Sequence, residues 1–136
     1  MVEEFIKLMK AQEESLGELL VLLDLQFKMI INKDTFALEA VVDKLEQCSK
    51  KIAKEELERR NLIGKNSMYQ LVKNSDNQEL KNCYKSIREI LKKSLSQKET
   101  NEILLKQQMI FNTKMLNIIN PNREIKTYNS YGNLSR

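Results

Sequence analysis

The sequence contains no histidine and no tryptophan, a single proline (Pro121) and only three glycines. Without histidine the chain lacks the commonest metal ligand and the commonest general base at neutral pH. So little glycine and proline leaves almost no turn chemistry, which excludes hairpin-built β-architectures and suits a few long helices. The two cysteines, Cys48 and Cys83, are too far apart to form a CxxC pair. Zinc binding and dithiol redox chemistry are therefore not expected, and both thiols read as small core residues in a reducing compartment. Gly-rich phosphate loops, GxSxG and HExxH are all missing. Adjacent acids such as Glu13–Glu14 and Glu55–Glu56 point in different directions on a helix. The sequence predicts no enzyme, no cofactor and no metal.

Long apolar runs are also lacking. The longest, "LLVLLDL" from Leu19 to Leu25, is interrupted by Asp24 and falls far short of the ~20 residues a membrane span needs. The opening "MVEEF" is acidic, whereas a signal peptide opens basic. A soluble, cytoplasmic protein without membrane insertion is expected.

What the chain has in quantity is Lys, Glu, Leu, Ile, Asn and Gln, a composition for long helices. Phe5, Met9, Leu16, Leu19, Leu23, Phe27 and Ile30 recur at steps of four and three, with Gln12 the one polar member of the seam. If continuous, residues 3–31 span about 44 Å, so an elongated molecule is expected. "NKDT" breaks this pattern: Asn32 can close the first helix in a left-handed conformation, and Asp34 or Thr35 can cap the next. A connection this short makes the two helices antiparallel. The second segment carries Leu38, Val41, Val42, Leu45, Cys48, Ile52 and Ala53 on one face and weakens around "LIGKNS". "NSDNQE" restarts the chain, with Ser75–Gln78 or Asp76–Glu79 as capping boxes. The third helix then runs from 76 to 119, with a polar stretch at 94–102 where a hinge is expected, and Pro121 stops it. The expected fold is all-α: an elongated antiparallel helical bundle or coiled coil of three long helices over residues 1–120. A flexible polar C-terminal tail follows over 121–136.

Between residues 103 and 119 the apolar positions do not fit one narrow stripe. Leu105, Met109 and Met115 can face the first helix, which turns Leu104, Phe111 and Ile118 sideways. Such a surface is covered within the bundle, by a second copy in a homodimer, or by an amphipathic segment of another protein. The net charge of +4 is uneven, with −3 over residues 1–34, +1 over 35–72 and +6 over 73–136. Lys81, Lys85, Arg88 and Lys92 share one helical face and could track phosphates. Glu79 and Glu89 flank them and no aromatic stacking set accompanies them, so nucleic acid is not the expected partner.

Together the leucine-rich first helix, the Asp34-opened second helix, its "KEELERRNL" ending (Lys54 to Leu62) and the tail "TYNSYG" (Thr127 to Gly132) resemble the FlgN family of flagellar type III export chaperones. The resemblance implies a cytoplasmic helical bundle that binds the disordered C-terminal segments of hook-associated (hook–filament junction) proteins. It implies that the chaperone prevents their premature assembly and brings them to the export gate. Leu104, Ile110, Phe111, Met115 and Ile118 are then the expected client-binding residues. Tyr128 and Gly132 match the family's tail tyrosine and glycine, which are implicated in docking to the cytoplasmic domain of the gate's large membrane component. The alternatives are a homodimeric coiled-coil scaffold without a client, a basic nucleic-acid-binding helical protein, and another flagellar chaperone such as that of the filament cap.

Overall fold

A computed structural model describes residues 2–120. They form four helices, α1 (Val2–Asn32), α2 (Thr35–Ile63), α3 (Met68–Asn74) and α4 (Gln78–Ile119), and no strand occurs among the described residues. The chain divides into two compact units, Met1–Asn101 and Glu102–Arg136, and α4 contributes to both.

In α1 the heptad seam is the buried edge: Phe5, Met9, Gln12, Leu16, Leu23 and Ile30 are all buried. The turn that follows differs from expectation in one residue. Lys33, not Asn32, takes the left-handed conformation (φ 55°), while Asn32 remains the last helical residue. The Lys33 and Asp34 N–H groups return to the Ile30 and Met29 carbonyls at 3.1 Å each, which satisfies the last turn of α1. Asp34 is the cap of α2, its Oδ1 accepting from the Ala37 N–H at 3.1 Å. From this tip α2 returns antiparallel to α1. The Cys48 thiol donates to the Ser15 carbonyl at 3.5 Å, and Lys51 pairs with Glu18 at 3.8 Å.

Gly64 ends α2 in a conformation (φ 61°, ψ −126°) that an L side chain rarely adopts. Its N–H still reaches the Arg60 carbonyl at 2.9 Å. The short α3 follows, capped by Ser67, and buries Val72. This extra helix closes the core of the first unit: Phe5, Met9 and Leu16 of α1 meet Ile63, Val72, Leu80, Cys83 and Ile87 from the other three helices.

Neither expected capping box starts α4. Ser75 Oγ accepts from the Asn77 N–H at 3.1 Å, and this turn places Asn77 ahead of the first helical residue. Asn77 Oδ1 then takes the Leu80 N–H at 3.1 Å. Lys10 pairs with Glu79, Ser86 donates to Glu13 at 3.1 Å, and Asn101 donates to the Leu23 carbonyl at 2.8 Å. Both members of each pair advance together, so α4 runs parallel to α1 within the first unit. The expected hinge at 94–102 is helical throughout. Ser94 and Asn101 occupy the next two heptad steps after Leu80 and Ile87, and both are buried.

Candidate functional site

The described part of the second unit is residues 102–120, nearly all of it α4. Four and three residues apart on this helix lie Leu104, Phe111, Met115 and Ile118, with Gln108 completing the seam. A second seam, displaced by one residue, holds Leu105, Met109, Leu116 and Ile119, with Asn112 in its register. Of the five residues singled out from the sequence, Ile110, Phe111, Met115 and Ile118 are exposed, Ile118 by 74 %. Leu104 is half-buried.

The sequence list left out Ile103, Met109, Leu116 and Ile119, all of which are exposed as well. Met109 and Met115, which the spacing allowed to face the first helix, are 65 % and 41 % exposed, and Leu105 is half-buried. A shallow groove follows the second seam along Leu105, Gln108, Met109, Asn112 and Leu116. The signal for it was the apolar repeat at 105, 109, 116 and 119, which reads equally well as core when only spacing is known. Thr113, on the edge of this groove, returns its hydroxyl to the Met109 carbonyl at 2.9 Å and so offers no free donor.

Neither cysteine of the first unit is placed as a reactive thiol. Cys48 and Cys83 are free and buried. Burial pushes both thiols upward in pKa, helped at Cys48 by the nearby Glu18 and at Cys83 by a hydrogen bond with Glu13. A raised pKa makes a poorer nucleophile at neutral pH. Among the described residues no group of His, Cys, Asp and Glu could hold a metal ion. No described helix is long and apolar enough to cross a membrane. Lys81, Lys85, Arg88 and Lys92 do share an exposed face of α4. Tyr128 and Gly132 lie outside the described residues.

Helices with exposed apolar seams are common to many proteins, so the decisive observation comes from the whole sequence. The family model described as FlgN protein matches residues 1–136, the entire chain. The chain belongs to the FlgN family. This is a family of flagellar export chaperones rather than of enzymes, and the all-helical architecture agrees with that class. No curated protein and no solved structure matches the chain.

Proposed function

We propose that this FlgN-family protein is a cytoplasmic chaperone for hook-associated junction proteins, and that residues 103–119 of α4 receive the client. The exposed apolar surface of that segment carries the reading: Ile110, Phe111, Met115 and Ile118 are exposed along the last turns of α4, with Leu104 half-buried. A client's disordered C-terminal segment, folding as an amphipathic helix, lays its apolar face along the Leu104–Phe111–Met115–Ile118 seam. Each side chain so covered contributes about 1.5–3 kcal/mol before ordering costs. The client loses chain entropy as it folds, which leaves submicromolar and reversible binding. Reversibility matters, because an exported client has to be surrendered. Covering the segment also keeps it from assembling early.

Delivery is assigned to the tail. Tyr128 and Gly132 dock on the cytoplasmic domain of the export gate's large membrane component while α4 holds cargo.

The test uses the full chain and a synthetic C-terminal segment of a junction protein, with affinity measured by calorimetry. Phe111→Glu together with Met115→Glu is expected to weaken binding by at least about tenfold, and unchanged affinity would place the site elsewhere. Tyr128→Ala is expected to keep the client and lose the gate domain; retained gate binding removes the docking role. The same exposed seams also fit a second copy of the chain. Sedimentation with and without the client segment separates the two, since a scaffold keeps its dimer and ignores the peptide.

A further inference from the structure

We propose that the solvent side of α4 between Lys81 and Leu95 is a second docking surface, fitted to an amphipathic helix with acidic residues along one edge. Lys81, Lys85, Arg88 and Lys92 are all exposed. None of the four forms an ion pair with a described carboxylate, whereas Lys10, Lys28, Lys51, Arg59 and Arg60 each do. These four cations span twelve residues of one helix, about 16 Å from first to last. They make a basic edge that no described carboxylate pairs with, although Glu89 flanks it one turn after Lys85.

Beside that edge runs an apolar seam. Tyr84, Leu91 and Leu95 follow at steps of seven and four, with Arg88 of the basic edge filling the turn between Tyr84 and Leu91, and Leu91 and Leu95 are exposed by 42 % and 59 %. The Arg88 guanidinium lies over the Tyr84 ring, 5.8 Å from its centroid, which holds the charge in place next to the seam. On its other side the seam adjoins the buried positions Ile87 and Ser94. The surface is therefore one helix wide, apolar along its middle and basic on one side only.

That pattern decides between partners. A nucleic acid would set its phosphates over Leu91 and Leu95 without using them, and the strip offers no set of aromatic rings for stacking. An interfacial helix at a lipid surface frames its apolar face with cations on both edges. An amphipathic helix with acids on one edge matches apolar seam to apolar seam and acid to base, as paired helices do. Every residue involved belongs to the first unit, so this surface shares no residue with 103–119 and does not depend on the function proposed for them.

The probe is a synthetic helical peptide of about 20 residues with leucines at heptad spacing and glutamates along one edge, titrated into the full chain. It is expected to bind, and to bind at least about tenfold more weakly to K85E/R88E and to L91S/L95S. F111E/M115E is expected to leave this peptide's affinity unchanged. A matching peptide with lysines in place of the glutamates is expected to bind K85E/R88E and not the natural chain, a charge-swap rescue that a misfolded variant cannot produce. Unchanged affinity in K85E/R88E, or absence of the rescue, overturns the proposal. So does a duplex DNA or an anionic vesicle that binds more tightly than the peptide and is indifferent to L91S/L95S.

Discussion

The side-chain amide of Asn101 donates to the backbone carbonyl of Leu23 at 2.8 Å and to Gln26 Oε1 at 2.9 Å. Its own Oδ1 accepts from Gln97 at 3.0 Å. At 1 % exposure this is a polar group in a core position of the α1–α4 seam with both of its donors satisfied. A buried asparagine of this kind fixes register between helices at some cost in stability. Asn101→Ala leaves the buried Leu23 carbonyl and the half-buried Gln26 and Gln97 amides short of a partner and is expected to cost about 1–3 kcal/mol in urea unfolding. Asn101→Leu restores apolar packing and is expected to recover stability while loosening register, read as a mixture of oligomers by light scattering. A cleanly monomeric and equally stable alanine variant would remove this role.

Asn101 also marks where the sequence was hard to read. Spacing located α1, α2 and the end of α4 closely, because a four–three repeat is dictated by helix geometry alone. The polar stretch 94–102 read as a lapse in that repeat, since no spacing rule reveals that an amide will find a carbonyl across the interface. The cap of α4 was missed for a similar reason, while that of α2 at Asp34 was read correctly: Ser75, Asp76 and Asn77 are all capable acceptors, and the turn made by Ser75 selects Asn77. The surface of residues 103–119 was legible as surplus apolar character. Which of its seams stays open was not, because Met109 fits an inward and an outward position equally well by periodicity.

The core of the first unit and the hairpin tip offer a direct contrast. Met9 is wholly buried within the four-helix cluster, whereas Phe36 is 87 % exposed at the start of α2. Met9→Ala is expected to cost about 2–5 kcal/mol, the transfer of its side chain plus the cavity it leaves. Phe36→Ala, although it removes more atoms, is expected to stay within about 0.5 kcal/mol. Denaturant midpoints of the two variants check the ranking, and a larger loss at Phe36 would contradict this core.

Two glycines test backbone against packing. A methyl group at Gly17 or at Gly64 would meet no atom within 4 Å, so neither position is sterically closed. Gly17 sits inside α1 with ordinary helical geometry, and Gly17→Ala is expected to stabilise by about 0.5–1 kcal/mol through the unfolded chain's lost freedom. Gly64 has φ 61° and ψ −126°, a region costly for any L side chain. Gly64→Ala is therefore expected to destabilise by about 1–3 kcal/mol. Opposite signs from the same substitution are the outcome to look for in thermal melts.

Stability should fall on the alkaline side, because three groups are shifted in the same direction. Burial raises the Cys48 and Cys83 pKa above the ordinary thiol value of 9.0. Lys10 is raised above 10.5 by its hydrogen bond and charge interaction with Glu79. A raised value in the folded state means the folded chain keeps its proton after the unfolded chain has released it. The stabilisation is then complete below the unfolded pKa and is lost as pH rises through the folded one. The melting temperature is expected to stay level from neutral pH to about 8.5 and to decline above it, first through the thiols and then through Lys10. Replacing both cysteines by alanine should remove the earlier part of that decline and leave the later part. In the native state both thiols should react with iodoacetamide at pH 8 more slowly than free cysteine, and at the free rate in urea. A melting temperature that rises between pH 8.5 and 10.5, or fast native-state alkylation, would contradict the burial of these thiols against α1.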